Sequence, residues 1–473
     1  MNRSVKYILY STILGTLLLS ACGKEKGIEP NKPDTPSLGF KIDSVLTVTE
    51  MPAAEMERIR LGVQFPHTDF EPTGFYLPPN GTVKLNVKQV TGTNLPKLMI
   101  GTYSRYLASG IYGGGSSDIP EVQLKEGENI ISDTKGNGGL LYIRYSSFAP
   151  NSTAKVSFIS GFKPVPFYVK GKTTHAEWLK MLSTLNNVPD VQLVGGSVIV
   201  VSSLAKAIEY KNEDQDAVLT KLDQMRQLEN AISGLDGSSP ENEPSPLRIL
   251  MTQHDDPNAF MYAFLYRTAF AAAEMDKILT VKGVGTDGWG PWHEIGHLHQ
   301  QHAWRWSALG EVTVNIYSLA VQRSFTPGEN RLVAEKSWNL AATYLALPEA
   351  DKDFNAYTNG KDALGNDIYV AKSPLKDVFA RLCMFEQLRK AYGDKFYPDL
   401  HKWFRKYKVG MRDDDDRIKY FMMAACKVSG KDLTDFFKKW GLKCSTPSRT
   451  DDAYRVITEL YLPKADDITT LRD

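Results

Sequence analysis

Cysteine is scarce in this chain: four in 473 residues, at positions 22, 383, 426 and 444. That excludes a disulfide-built scaffold, and no two of them have the close spacing of a structural zinc site. Three remain after Cys22, an odd number, so at least one stays free unless it pairs between chains. Cys383 and Cys426 fall in helical patterns and read as buried thiols. An excess of one charge is missing as well. With 56 basic and 55 acidic residues the formal charge is +1, so no global field draws the chain to nucleic acid. Histidine is sparse at eight. There is no internal repeat and no nucleotide fingerprint, because Gly113-Gly114-Gly115 lacks the strand–loop–helix setting and the lysine of a phosphate loop. What is present is a folded composition, 42% hydrophobic and 11% aromatic, on a chain too long for one ordinary core.

The first 21 residues read as a targeting signal. Arg3 and Lys6 precede an apolar run, Tyr7 to Leu19, that is too short to span a bilayer comfortably. It ends in Leu19-Ser20-Ala21-Cys22, which resembles the lipobox of bacterial lipoproteins, with Cys22 as the lipidated residue. The implied location is extracytoplasmic, lipid-anchored to a bacterial membrane, at the cell surface or outer membrane. Residues 22–50, polar and proline-rich at the start, read as a flexible linker.

From 51 to 164 short alternating runs, such as Thr82 to Val90 and Ala154 to Ile159, are separated by glycine- and asparagine-rich turns. This pattern predicts a β-sandwich accessory domain. From 165 to 473 the helical period dominates, with strands expected only near Leu193–Val201 and Leu247–Thr252. Thr174 with Glu177 predicts a capping box. The fold class is therefore α+β: a β-sandwich followed by a mainly α-helical domain.

The chemistry concentrates in His293-Glu294-Ile295-Gly296-His297. On a helix the two histidines lie one turn and about 6 Å apart on one face, close enough to share a Zn²⁺ ion. Glu294, rotated by about 100°, falls beside the position left for water, where a general base must stand. With eight histidines in the chain such a motif arises by chance in roughly one such sequence in a hundred. A third ligand is needed. Gln300 and Ala303 occupy the places where one related pattern carries a glycine and a histidine, and His299 and His302 point elsewhere on the helix. Glu311 is the better candidate: a helix from about 292 to 305, a turn, and a second helix from 311 to 323 bring it back to the metal. Asn315, one turn further on, is placed to hold a ligand from behind. The four tryptophans Trp289, Trp292, Trp304 and Trp306 either form a stacking floor or anchor the core. Tyr317 has a hydroxyl of the kind that stabilises an oxyanion, but its place six residues after Glu311 does not by itself aim it there. Asp413 to Asp416 reads as a helix cap in preference to a Ca²⁺ site.

Trp292-His293-Glu294-Ile295-Gly296-His297 followed by Gly310-Glu311-Val312-Thr313-Val314-Asn315-Ile316-Tyr317-Ser318 resembles peptidase family M60, the enhancin-like or mucin-degrading metallopeptidases of the gluzincin group. Met384 to Leu388, Phe396 to His401 and Val428 to Thr434 are similar to its helical half. The resemblance implies one zinc ion held by His293, His297 and Glu311, with Glu294 as catalytic base. It also implies cleavage of extracellular glycoproteins, mucin-like and O-glycosylated. Val314 stands where the family signature often has a second amide. The alternative reading is a surface glycan- or protein-binding lipoprotein with a mainly structural zinc site.

Overall fold

The computed structural model describes residues 40–105, 119–355, 357–361, 367–371 and 377–473. The signal, Cys22 and most of the linker lie outside them. Gly39–Asp473 forms one compact unit.

The N-terminal part holds two antiparallel sheets. One has four strands in the order Val45–Thr49, Thr153–Ser160, Thr82–Thr91, Gly127–Ser132. The other has five: Lys163–Pro164, Phe70–Leu77, Gly139–Arg144, Lys97–Ile100, Glu121–Gln123. Their facing side chains, among them Leu85, Val156, Leu98 and Leu141, share one core. Two expectations need correction. The linker does not extend to residue 50, because Val45–Thr49 pairs with Thr153–Ser157. Its alternation of exposed and less exposed residues is that of an outer strand packed on one face. Lys125-Glu126-Gly127-Glu128-Asn129, which reads in sequence as one of the turns between strands, gives way from its third residue to strand Gly127–Ser132. A helix that no sequence signal announced, Ala54–Leu61, closes on Gly62 in the left-handed region (φ 70°).

The remainder is not mainly helical at its start. Residues 167–271 supply a six-stranded mixed sheet in the order Phe167–Val169, Asp190–Val194, Val198–Ser203, Ile249–His254, Arg267–Ala271, Met261–Phe264. The last strand is antiparallel to its neighbour and forms an edge. Val198-Ile199-Val200-Val201 is apolar without alternation because both faces of this sheet are covered. Val198 and Val200 pack with Trp178, Leu222 and Trp292 beneath the helices. Ile199 and Val201 pack with Phe70, Met99 and Tyr142 of the five-stranded sheet. The five-stranded sheet thus has apolar neighbours on both sides: along Gly139–Arg144, Leu141 and Ile143 face one sheet and Leu140 and Tyr142 the other.

Helices follow. Thr174 and Glu177 form the predicted capping box at the head of His175–Thr184. Gln215–Ile232 lies under the sheet, and the helices from Gly310 to Thr458 build a second core around Trp304, Trp306, Phe385 and Trp440. Cys383, Cys426 and Cys444 are buried free thiols. Arg60 ties the N-terminal helix to this half, donating to the carbonyls of Pro240, Glu241 and Glu243 at 2.8–3.2 Å.

Candidate metal centre

The helix carrying the motif runs from Trp289 to His299, and the helix carrying Glu311 from Gly310 to Phe325. The first ends six residues earlier than expected. Single-turn 3₁₀ segments at His302–Trp304 and Ser307–Leu309 carry the chain round. The two helices touch at Gly296, where a Cβ would meet the Val314 carbonyl oxygen at 2.9 Å. Only glycine permits that approach. Val314 is fully buried against it, so the apolar residue at that position packs the helix pair.

This contact brings His293, His297 and Glu311 together, one ligand-type atom from each lying within 4.8 Å of the others. His293 Nε2 is 3.0 Å and His297 Nε2 3.5 Å from Glu311 Oε2. The far nitrogens are tied to amides. His293 Nδ1 meets Asn315 Oδ1 at 3.0 Å, and His297 Nδ1 meets Gln300 Oε1 at 2.8 Å. Neither amide can be turned round. Asn315 Nδ2 donates to the Glu311 carbonyl at 2.9 Å, and Gln300 Nε2 donates to the Gly310 carbonyl and to Thr313 Oγ1, both at 2.9 Å. Their oxygens must therefore accept, which puts the proton of each neutral imidazole on Nδ1. Both Nε2 lone pairs then point at a carboxylate oxygen. Three lone-pair donors so close repel one another unless a cation stands among them, so the donor set fits a metal ion of the N,N,O type.

Glu294 is 7% exposed. Burial pushes its carboxyl up from the ordinary range, while His297 and His293 pull it down and the backbone N–H of Ala263 donates to it. Ala263 lies on the edge strand Met261–Phe264, so that strand borders the centre. The Glu311 side chain is open to solvent, 64% exposed, which leaves one side of the centre accessible.

Other candidates fall outside it. His299 is buried, its nitrogens on the Ile295 carbonyl and Asn230 Oδ1 at 3.1 Å each. His302 is held by Arg417 at 2.7 Å. Tyr317 is fully buried, its hydroxyl on the His299 carbonyl at 2.9 Å and His401 Nε2 at 2.8 Å, so it does not reach an oxyanion. Trp292, Trp304 and Trp306 are core; Trp289 is half-buried under the Arg331 guanidinium at 4.6 Å. Asp413 caps Asp414–Ser429 and pairs with Arg449, as a cap should. Gln300 was read only as a residue that is not the glycine of a related pattern; its spacing of three from His297, on the same helix face, is the signal that could have found it.

A family model described as peptidase M60, enhancin and enhancin-like, matches residues 161–441, and one for the N-terminal domain of M60-like peptidases matches 52–158. Human TRPM8 channel-associated factor 2 is 26% identical over 311 residues, 64% of this chain and 30% of that protein. Bovine factor 1 is 23% identical over 405 residues, 82% and 40%. The chain thus spans 30–40% of the length of these curated relatives. Among solved structures, a conserved Bacillus anthracis protein described as functionally unknown is 32% identical, with a TM-score of 0.75, covering 91% of this chain and 81% of that one. The ZmpB metallopeptidase of Clostridium perfringens shares the fold at 20% identity (TM-score 0.73, covering 91% and 82%). So does the catalytic domain of ZmpC from the same organism, solved with the sialyl T antigen (20%, TM-score 0.69, covering 91% and 82%). With the catalytic-domain match extending over more than half of its length, this chain belongs to peptidase family M60, the enhancin and enhancin-like peptidases.

Proposed function

We propose that the chain is a zinc-dependent endopeptidase acting on extracellular glycoproteins of the mucin-like, O-glycosylated kind, lipid-anchored at Cys22 to a bacterial membrane. The observation that carries the reading is the convergence of His293 Nε2, His297 Nε2 and Glu311 Oε2 beside the buried Glu294 carboxyl. His293, His297 and Glu311 would hold the zinc. The ion, when bound, supplies a Lewis acid that polarises the scissile carbonyl and acidifies water. Glu294 takes the proton of the attacking water and hands it to the leaving amine; burial, by raising its pKa, suits it to carry a proton between the two. The Ala263 N–H keeps the carboxyl aimed. The edge strand Met261–Phe264 offers its outer row of backbone groups to a substrate chain lying along it.

A cavity of about 660 Å³ beside the first turn of the motif helix, lined by neither Glu294 nor the three ligand-type residues, offers room for a substrate's sugar. Trp289, one turn ahead of His293, lines it with Asp287, Gln322, Asn330 and Arg331, an aromatic wall among polar groups. That a fold relative was solved with the sialyl T antigen, and another metallopeptidase with the Tn antigen, points to the same substrate class. A purely structural zinc site has no use for a buried acid in this place.

The test is Glu294→Gln in the full chain, assayed on an O-glycosylated mucin-type protein and on the same protein stripped of glycan. Cleavage should disappear while zinc still binds, and the wild type should favour the glycosylated form. Undiminished cleavage by the variant would overturn the mechanism, and equal cleavage of both proteins the substrate class.

A further inference from the structure

The Gln300 carboxamide lies at the point where the chain leaves the motif helix. Although ψ at 119° carries the following chain away, its backbone N–H still donates to the Gly296 carbonyl at 3.0 Å and φ stays at −60°, so the side chain leaves on the helix face of His297, three residues back. It is 2% exposed there, and a buried carboxamide is stable only with its polar groups paired. The oxygen accepts from His297 Nδ1–H, and the nitrogen's two protons go to the Gly310 carbonyl and Thr313 Oγ1. The Thr313 hydroxyl passes its own proton to the Leu309 carbonyl at 3.2 Å, which keeps its lone pair free for Gln300.

Asn315 repeats this arrangement at the other histidine. Its oxygen receives His293 Nδ1–H and its nitrogen donates to the Glu311 carbonyl. The two carbonyls so gripped, Gly310 and Glu311, are consecutive, and the Glu311 Cα lies between them. Each amide therefore fixes one imidazole and, with its other end, one of the two peptide groups that orient the third ligand.

We infer that Gln300 is a positioning residue which, with Asn315, makes the three ligands one coupled unit. The inference rests on the metal reading proposed above. Rotating His297 releases Gln300, and releasing Gln300 loosens the first turn of the Glu311 helix. Partners behind metal ligands commonly set affinity in this way, by ten- to a hundredfold. Coupling adds a further signature: once either amide is lost, Glu311 is already free on one side, so loss of the second removes less than it would alone.

The experiment uses the full chain and Zn²⁺ itself, with affinity measured by competition against a chromophoric chelator. Gln300→Met and Asn315→Leu keep side-chain volume close to native and delete the hydrogen bonds; Thr313→Val leaves the His297 bond in place and deletes one partner of the Gln300 nitrogen. Each of the first two should weaken zinc about ten- to a hundredfold, and the double variant should weaken it by less than the product of the two. Thr313→Val should fall between them and the wild type. Zinc affinity within about twofold of wild type in Gln300→Met, or a double variant that reaches the full product, overturns the inference. So does a metal-free melting temperature lowered as far as that of the zinc-loaded protein, since Gln300 would then serve the fold alone. A wild-type chain that fails to bind zinc is a different failure: it refutes the metal reading itself.

Discussion

Gly296→Ala probes the closest point between the two ligand-bearing helices. The added methyl would sit 2.9 Å from the Val314 carbonyl oxygen, 3.0 Å from Val314 Cγ2 and 3.3 Å from Tyr317 Cβ. Ordinary contact begins at 3.4 Å, so the helices must part by about half an ångström or the helix must bend. Two opposing effects act on the metal-free protein. Alanine gains about 1 kcal/mol of helix propensity over glycine, and overpacking costs about 1–3 kcal/mol, leaving a net loss of roughly 0–2 kcal/mol. The effect on the centre is larger. Val314 is three residues past Glu311 and one before Asn315, so the displacement is delivered to one ligand and to the residue behind another. Zinc–ligand distances tolerate about 0.2 Å. A shift of more than twice that should weaken binding by about ten- to a hundredfold, or about 1.4–2.8 kcal/mol. The assay is thermal melting with chelator and again with excess zinc, beside chelator competition. The variant should melt slightly lower without zinc and gain much less from adding it. A variant that binds zinc within about twofold of wild type and melts like it would refute the argument that glycine is required for the helices to meet here.

Three further outcomes follow from the same geometry. Tyr317→Phe removes a buried hydroxyl from the His299 carbonyl and His401; stability should fall by about 1–3 kcal/mol while turnover per folded molecule is unchanged, and a hundredfold loss of kcat with normal folding would reinstate it as an oxyanion donor. In the metal-free protein, burial draws the His293 imidazole down, but the hydrogen bond to Glu311 and the charge of Glu294 outweigh it, so its pKa is net raised. The stabilisation from that contact is fully present below about pH 6.5 and lost as pH climbs through the raised value; melting in chelator should drop over that climb, zinc should stabilise more strongly over the same interval, and a flat metal-free profile from about pH 6 to about pH 9 would contradict it. Thr174→Ala breaks the capping box of His175–Thr184 and should cost about 1 kcal/mol with no change in zinc affinity; a shift in zinc affinity would mean that this helix end communicates with the centre.

The centre was legible where local periodicity decides it. Two histidines four apart and an acid on a following helix need only the helical repeat to be placed on one face, and the structure brings His293, His297 and Glu311 together. Gln300, three residues past His297, shares its helix face, so the contact with His297 was within reach of the helical repeat; what the repeat does not supply is the Gly310 carbonyl and the Thr313 hydroxyl that orient its amide. Tyr317 could not be aimed from the sequence, because its partner His401 lies 84 residues further on in the chain. In the fold, Met261–Phe264 and Arg267–Ala271 escaped notice because they are short and follow the turn-rich Asp255-Asp256-Pro257-Asn258. Arg267–Ala271 pairs with Ile249–His254, an association outside any short window of sequence, and Met261–Phe264 then folds back on Arg267–Ala271 as the edge. Strand Val45–Thr49 was hidden by the polar, proline-rich segment ahead of it.

The middle position of the five-stranded sheet limits how this chain can be cut or recombined. A fragment starting where the catalytic family match begins, at residue 161, would turn Ile199, Val201 and Leu250 out to water and would lose the partners of Gln301 and His302 at Leu61 and Gly62. Such a fragment is a sheet with a bare greasy face, a template for sticking to its neighbours. The two halves are therefore one physical block, and a hybrid built on the helical half must bring this N-terminal half with it.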